Sequence, residues 1–214
     1  MKKKWLITSI SLLVVAIIYT VLVKIVDVAP IAADNSNVGF ATINVFFRDI
    51  IGNHMLFYDI TKYLGVIPIL MALSYGLLGV LQLIKKKSIK KVNKRLIVLG
   101  IFYVVFAILY VLFEKLAINY RPVLVDGQIE ASYPSTHTLL ALCICGSSLI
   151  ISKYIYKKNI VKYLNKFTWV VMILIVLGRI ISGVHWISDI VGGIIISLFM
   201  LSAFYTALLY IEKN

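Results

Sequence analysis

Hydrophobic positions in this chain come in long unbroken runs, not in the alternating or one-sided patterns of soluble strands and helices. Six runs stand out, at roughly 5–26, 63–84, 96–114, 137–153, 167–183 and 190–211. Each approaches the ~20 residues that a helix needs to cross a hydrocarbon layer. The fourth and fifth lie at the short end of that range. The first run follows Met1-Lys2-Lys3-Lys4 and resembles a signal peptide at first sight. It is longer than the usual apolar segment of about 7–15 residues, and Ala32-Ala33 makes a poor cleavage site, so it reads as an uncleaved first span. No repeat, low-complexity tract or Pro/Gly-rich linker divides the chain. The pattern predicts an all-α membrane protein with a single domain over 1–214, a six-transmembrane-helix bundle.

The polar stretches between the runs sort by charge. Residues 85–95 contain seven cations and no acid, and Lys153, Lys157, Lys158, Lys162 and Lys166 form a second acid-free group. With Lys2, Lys3 and Lys4, these belong on the cytoplasmic side by the positive-inside rule. Asp27, Asp34, Asp49, Asp59, Asp126, Glu130 and Asp189 fall in the remaining connections, which places those outside. Six spans then alternate consistently, with both termini cytoplasmic. The connection 27–62 is long and mixed. Within it, Phe40, Ile43, Phe46, Phe47, Ile50 and Ile51 partly match helical spacing, as in a segment lying in the interface, either as a plain connector or as a lip that guides a lipid. His54, just beyond, has no assigned role.

Composition fits this reading. The 214 residues are 61% hydrophobic and 14% charged, against about 25% charged in soluble domains. The net charge of +13 would suit nucleic acid, but the cations cluster in short connections and not over a soluble face, so no nucleic-acid partner is expected. Cys143 and Cys145 are the only cysteines. Two apart on a helix they face different directions, which argues against a disulfide or a metal site and for small core residues.

Three segments carry chemistry. Gly178-Arg179-Ile180-Ile181-Ser182-Gly183-Val184-His185-Trp186-Ile187-Ser188-Asp189 places an arginine, a histidine and an aspartate within apolar sequence. Ionisable groups at membrane depth are costly and mark functional sites. His185 and Asp189, four apart, share a face if the sixth helix begins early enough. An aspartate accepting from one imidazole nitrogen leaves the other free for nucleophilic attack. In Pro134-Ser135-Thr136-His137, proline and hydroxyl residues open a helix whose free N–H groups suit an anion, with His137 placed to protonate a leaving oxygen. Arg121-Pro122 follows the third span, and Arg121 can grip phosphate bidentately. Lys115 either adds a point charge there or snorkels to the headgroups, and Glu114 is a partner for either cation. Asp126 and Glu130 are expected to be solvated loop acids. Trp186 and Tyr133 are expected in an interfacial aromatic belt. All three segments fall on the same, non-cytoplasmic side.

These segments resemble the signatures of the type 2 phosphatidic acid phosphatase family of integral membrane lipid phosphatases: Lys-x6-Arg-Pro, Pro-Ser-Gly-His and Ser-Arg-x5-His-x3-Asp. The third stands here as Gly178-Arg179-x5-His185-x3-Asp189, with Gly in place of Ser. The second stands as Pro134-Ser135-Thr136-His137, with Thr in place of Gly, and the first as Lys115-x5-Arg121-Pro122, one residue short. One residue turns a helical side chain by about 100°, so Lys115 is the position most affected.

The resemblance implies a multi-pass cell-membrane phosphatase with its site on the non-cytoplasmic face. His185, His137 and Asp189 would be catalytic, acting through a phosphohistidine. Arg121, Arg179, Ser135, Thr136 and Lys115 would bind phosphate. The cations would neutralise the transferred charge, so no metal and no cofactor is expected. The implied substrate is a lipid phosphate or pyrophosphate within the bilayer. Undecaprenyl pyrophosphate is expected from orientation, with phosphatidic acid or phosphatidylglycerol phosphate as alternatives. A non-catalytic lipid-phosphate binder or a transporter is the alternative of another class.

Overall fold

The computed structural model describes residues 1–212. Six apolar helical stretches are long enough to span a bilayer: Lys2–Ile25, Met55–Lys86, Lys94–Leu116, Thr136–Ile155, Lys158–Ser182 and Ile187–Ile211. Four contain the whole run that hydropathy predicts, Lys2–Ile25 and Lys158–Ser182 stop one residue short of theirs, and several helices extend further. The second span joins α3 (Met55–Leu64) to α4 (Val66–Lys86) through Gly65. The fifth helix, α8 (Lys158–Ser182), begins nine residues before the predicted start, because hydropathy marks the apolar length and not the lysine-rich turns that precede it. The sixth, α9 (Ile187–Ile211), begins early enough to put Asp189 in its first turn, where the exposed N–H dipoles favour an acid.

The fourth span is the bundle's axis. Of its most apolar window 61% is buried, against 17% to 44% for the other five. Its residues explain this. Ala141, Cys143, Cys145, Gly146, Ser147, Ser148 and Ser152 are small and fully covered, and small residues let helices approach closely where no hydrophobic effect drives them together. A Cβ at Gly146 would overlap the Leu201 side chain. Short hydroxyls then bond outward on several sides. Ser148 meets Tyr75 at 2.9 Å and Ser152 donates to Asn165 at 2.9 Å. Ser147 meets Tyr103 at 3.3 Å, and Cys143 donates to Ser197 at 3.6 Å. The span opens as α6 (Thr136–Leu140), widens into a π turn at Ala141–Cys145, and continues as α7 (Gly146–Ile155).

Chain direction alternates along the bundle. Lys2 donates to the Tyr210 carbonyl at 3.3 Å, and Arg95 pairs with Glu212 at 3.3 Å. Those contacts gather the start of α1 (Lys2–Ile25), the start of α5 (Lys94–Leu116) and the finish of α9 at one end. The lysine-rich connections lie at that end, and the three motif segments lie at the other.

The motif end is tied together by the long connection. Strands β1 (Ala29–Pro30) and β2 (Asn37–Val38) pair antiparallel and lead into α2 (Ala41–Ile51). Helix α2 exposes Ile43, Phe46 and Ile50 and buries Asn44. The Asn44 amide donates to the Gly39 carbonyl and to Ser188 Oγ, both at 2.9 Å, and its oxygen accepts from the Ser188 N–H at 3.1 Å. One side chain thereby fixes the start of α9. Asn44→Ala leaves a buried N–H unpaired, at a cost of about 1–3 kcal/mol. The expected result is a lower Tm in detergent together with reduced activity; an unchanged Tm would show that α9 is anchored without it.

Candidate active site

The residues 117–135 do not form an irregular loop. Val125 and Gln128 exchange backbone hydrogen bonds of 3.0 and 2.9 Å, and Tyr120 bridges Ala131. The turn is Asp126-Gly127, both with positive φ, the pair that favours a tight hairpin. That dipeptide is a signal the hydrophobic pattern overlooks. The hairpin sets Arg121 opposite Glu130, with Arg121 Nη2 2.9 Å from Glu130 Oε2. Glu130 is therefore an ion-pair partner and not a free loop acid, and it takes the position considered for Glu114. The Trp186 indole donates to the Tyr120 carbonyl at 2.7 Å and holds the hairpin over the bundle. Trp186 and Tyr133 are each 1% exposed. Neither belongs to an interfacial belt: Tyr133 bonds Thr20 at 2.8 Å and packs where a Cβ on Gly192 would overlap its ring.

The backbone knots the second and third motif segments together. Ser135 N–H donates to the Asp189 carbonyl at 3.0 Å. The Asp189 carboxylate is fully buried, and its Oδ1 accepts from Asn119 at 3.0 Å and from Ser188 at 3.4 Å. Asn119 is a site residue that the motif reading misses. It is fully buried, and its own carbonyl accepts from the Ser132 N–H.

His185 sits between these elements. Its Nδ1 lies 3.0 Å from Ser132 Oγ and 3.1 Å from the Ser132 carbonyl. A carbonyl only accepts, so the neutral ring carries its proton on Nδ1 and presents the Nε2 lone pair. Ser132 thus makes the contact expected of Asp189 and also lies beside that carboxylate. Asp189 makes no hydrogen bond to the imidazole: its Oδ1 accepts from Asn119 and Ser188, and its Oδ2 is buried without a partner among the described residues. Burial, together with the charges of Arg121 and Arg179 and the nearby His137, holds the His185 imidazole well below the usual histidine range.

A set of unpaired polar atoms converges here. His185 Nε2, His137 Nδ1, Arg121 Nη1 and all three Arg179 guanidinium nitrogens are buried without a hydrogen-bond partner among the described residues. A buried, unpaired guanidinium is costly, so this group is built for an anion. The start of the fourth span adds donors. Its first bond is from Leu139 N–H to the Ser135 carbonyl, which leaves the N–H groups of Thr136, His137 and Thr138 open at the positive end of the helix. Ser135 Oγ accepts from Thr138 at 3.0 Å, and its own proton remains available. Lys115 stands apart, exposed on the last turn of α5, with no hydrogen bond or ion pair among the described residues.

Helix α3 closes the remaining side. The buried Tyr58 ring lies under Arg179, whose Cζ is 4.7 Å from its centroid. Gly65 packs on the His137 ring, with 3.1 Å between a built Cβ and His137 Cδ2. A Cβ at Gly178 would overlap the methyl of Thr61. Thr61 thus fills the space that a serine at 178 would need, which accounts for the glycine in that motif. Gly178→Ser should destabilise the protein by about 1–3 kcal/mol through overpacking. Adding Thr61→Ser, which removes only the methyl, should recover most of it. A double-mutant cycle in Tm measures the coupling, and strict additivity would disprove the steric account.

A family model described as the PAP2 superfamily matches residues 113–213. Among solved structures, a transmembrane PAP2-type phosphatidylglycerolphosphate phosphatase from Bacillus subtilis shares the fold. Its TM-score is 0.63 at 16% identity, with 96% of each chain covered. Sequence comparison with curated proteins finds no match.

Proposed function

We propose that this chain, whose residues 113–213 are a PAP2-superfamily region, is a membrane phosphohydrolase that removes phosphate from lipid headgroups through a phosphohistidine. The observation that carries this reading is the unpaired Nε2 of His185 together with the unpaired donors of Arg121 and Arg179, whose charges act on that imidazole. A phosphoryl group held by those donors lies where Nε2 can attack phosphorus. The bond between phosphorus and the leaving oxygen then breaks, and His137 supplies that oxygen's proton. As His185 gains its bond to phosphorus, the ring becomes cationic. The Ser132 carbonyl and, behind it, Asp189 stabilise that charge. Water next attacks the phosphohistidine, with His137 taking its proton. Arg121, Arg179, Ser135 and the open N–H groups stabilise charge on the three oxygens in both steps. Glu130 holds Arg121 Nη2 in place, while Nη1 remains free for the substrate.

The substrate reading rests on geometry and likeness. The site occupies the end of the bundle away from the lysine-rich connections. With that basic end in the cytoplasm, the site faces outward, which favours an isoprenoid carrier pyrophosphate such as undecaprenyl pyrophosphate. Likeness to the Bacillus subtilis enzyme favours phosphatidylglycerol phosphate as a second reading. Among the described residues no group of His, Cys, Asp and Glu is arranged to hold a metal ion, and the cations supply the charge neutralisation that a metal would otherwise give.

Purified protein in detergent with EDTA, assayed against undecaprenyl pyrophosphate, phosphatidylglycerol phosphate and phosphatidic acid, tests the reading. Release should persist in EDTA and fall at least ~10³-fold in His185→Ala. No release from any substrate by well-folded protein would favour a lipid-phosphate binder or transporter. The pH profile supplies a separate check. The free enzyme needs neutral His185, and its pKa is lowered. The acid limb of kcat/KM should therefore lie below the ordinary histidine value of about 6.5, with activity persisting as pH falls through that value. A limb above it would contradict the buried nucleophile.

A further inference from the structure

We propose that Lys62, on α3, is the lysine that binds phosphate in this site, in place of Lys115. The proposal rests on the phosphohydrolase reading above and extends its binding set to an element that none of the three motif segments includes.

Three cations gather around one aromatic ring. Arg179 Cζ lies 4.7 Å from the Tyr58 centroid, Arg121 Cζ 5.8 Å and Lys62 Nζ 5.9 Å. Tyr58 is 7% exposed, so its ring is a fixed floor on which all three positive groups meet at cation–π range. The same three cations are the charges that act on His137. Lys62 reaches this position by simple helical geometry. Tyr58, Lys62 and Gly65 stand at i, i+4 and i+7 on the second span and therefore share one face. At Gly65 that face touches the His137 ring. Lys62 is exposed and has no hydrogen bond or ion pair among the described residues. Its ammonium stands at the rim of the site, free to take a phosphate oxygen that remains in contact with water.

Lys115 has the opposite setting. One turn before it on α5, Val111 and Leu112 are 51% and 46% exposed, and the following Leu116 is 55% exposed. Lys115 therefore lies on a lipid-facing stripe and snorkels from it. The shortened motif spacing has rotated this lysine off the site, and α3 supplies a cation in its place. Helix α3 compensates a second departure in the same way, since Thr61 fills the space opposite Gly178.

The test compares Lys62→Met, Lys62→Arg and Lys115→Met with wild type. Lys62→Met should lower kcat/KM roughly tenfold or more, chiefly through KM. Lys62→Arg should restore much of the loss, and Lys115→Met should stay within about twofold. A second measurement does not depend on turnover. Inorganic phosphate should raise the Tm of wild type and Lys115→Met, and fail to raise that of Lys62→Met. Wild-type KM and a wild-type phosphate shift in Lys62→Met would overturn the assignment, as would a loss confined to Lys115→Met. A wild-type protein that shows the phosphate shift but releases no phosphate would overturn the phosphohydrolase reading and leave the shift in Lys62→Met to decide the lysine. Neither shift nor release in wild type would overturn both.

Discussion

Arg179 is fully buried in an apolar bundle with none of its guanidinium nitrogens bonded to protein, and the rest of the motif end is arranged around that charge. Water cannot reach it, and no carboxylate among the described residues forms an ion pair with it. The face of Tyr58 lies beneath it. Such a charge is tolerable only where the surroundings are fixed tightly enough to keep it from neutralising itself against the wrong partner. Glu130 is restrained on Arg121, and Asp189 is occupied by Asn119 and Ser188. Neither acid forms an ion pair with Arg179.

The restraint on Asp189 explains much of the surrounding architecture. The start of α9 receives bonds from four separated parts of the chain. Asn44 comes from α2, Tyr19 from α1 donates to the Ser188 carbonyl at 3.0 Å, Asn119 precedes the hairpin, and Ser135 begins the fourth span. Each contact also fixes the position of His185, two residues before α9. A histidine held through Nδ1 by a backbone carbonyl cannot rotate without breaking that bond. Its direction and tautomer follow from that one contact, and its neutrality from burial beside Arg121 and Arg179. The carboxylate that motif geometry suggested as its direct partner instead anchors the helix on which the whole arrangement depends.

The small-residue fourth span is the other requirement. Its covered serines and cysteines bond to four neighbouring helices, and its N-terminus is the donor-rich floor of the site. A span that carries the candidate site's donors at one end benefits from being central, because every neighbouring helix then fixes its position. The outer helices α1, α4 and α5 expose long apolar stripes instead, and their apolar contact with lipid needs no specific partner.

The sequence by itself determined the number of spans, the separation of a basic end from a chemistry-bearing end, and the identity of Arg121, His137, Arg179, His185 and Asp189. These are legible because each carries a local signal: twenty apolar residues, a run of lysines, or ionisable groups at fixed short spacing. Only the tertiary structure decided which partners those groups have. Ser132 on His185, Asn119 on Asp189, Thr61 against Gly178 and the Arg179 guanidinium over Tyr58 are all contacts between residues distant in the chain. Nothing in the sequence near either member announces them. Helix faces were illegible for a related reason. In a span that is apolar all round, lipid and protein interior look alike to hydropathy, so the pattern cannot say which side of α5 carries Lys115 away from the site. Spacing within a segment is a covalent fact, whereas pairing between segments is settled by packing.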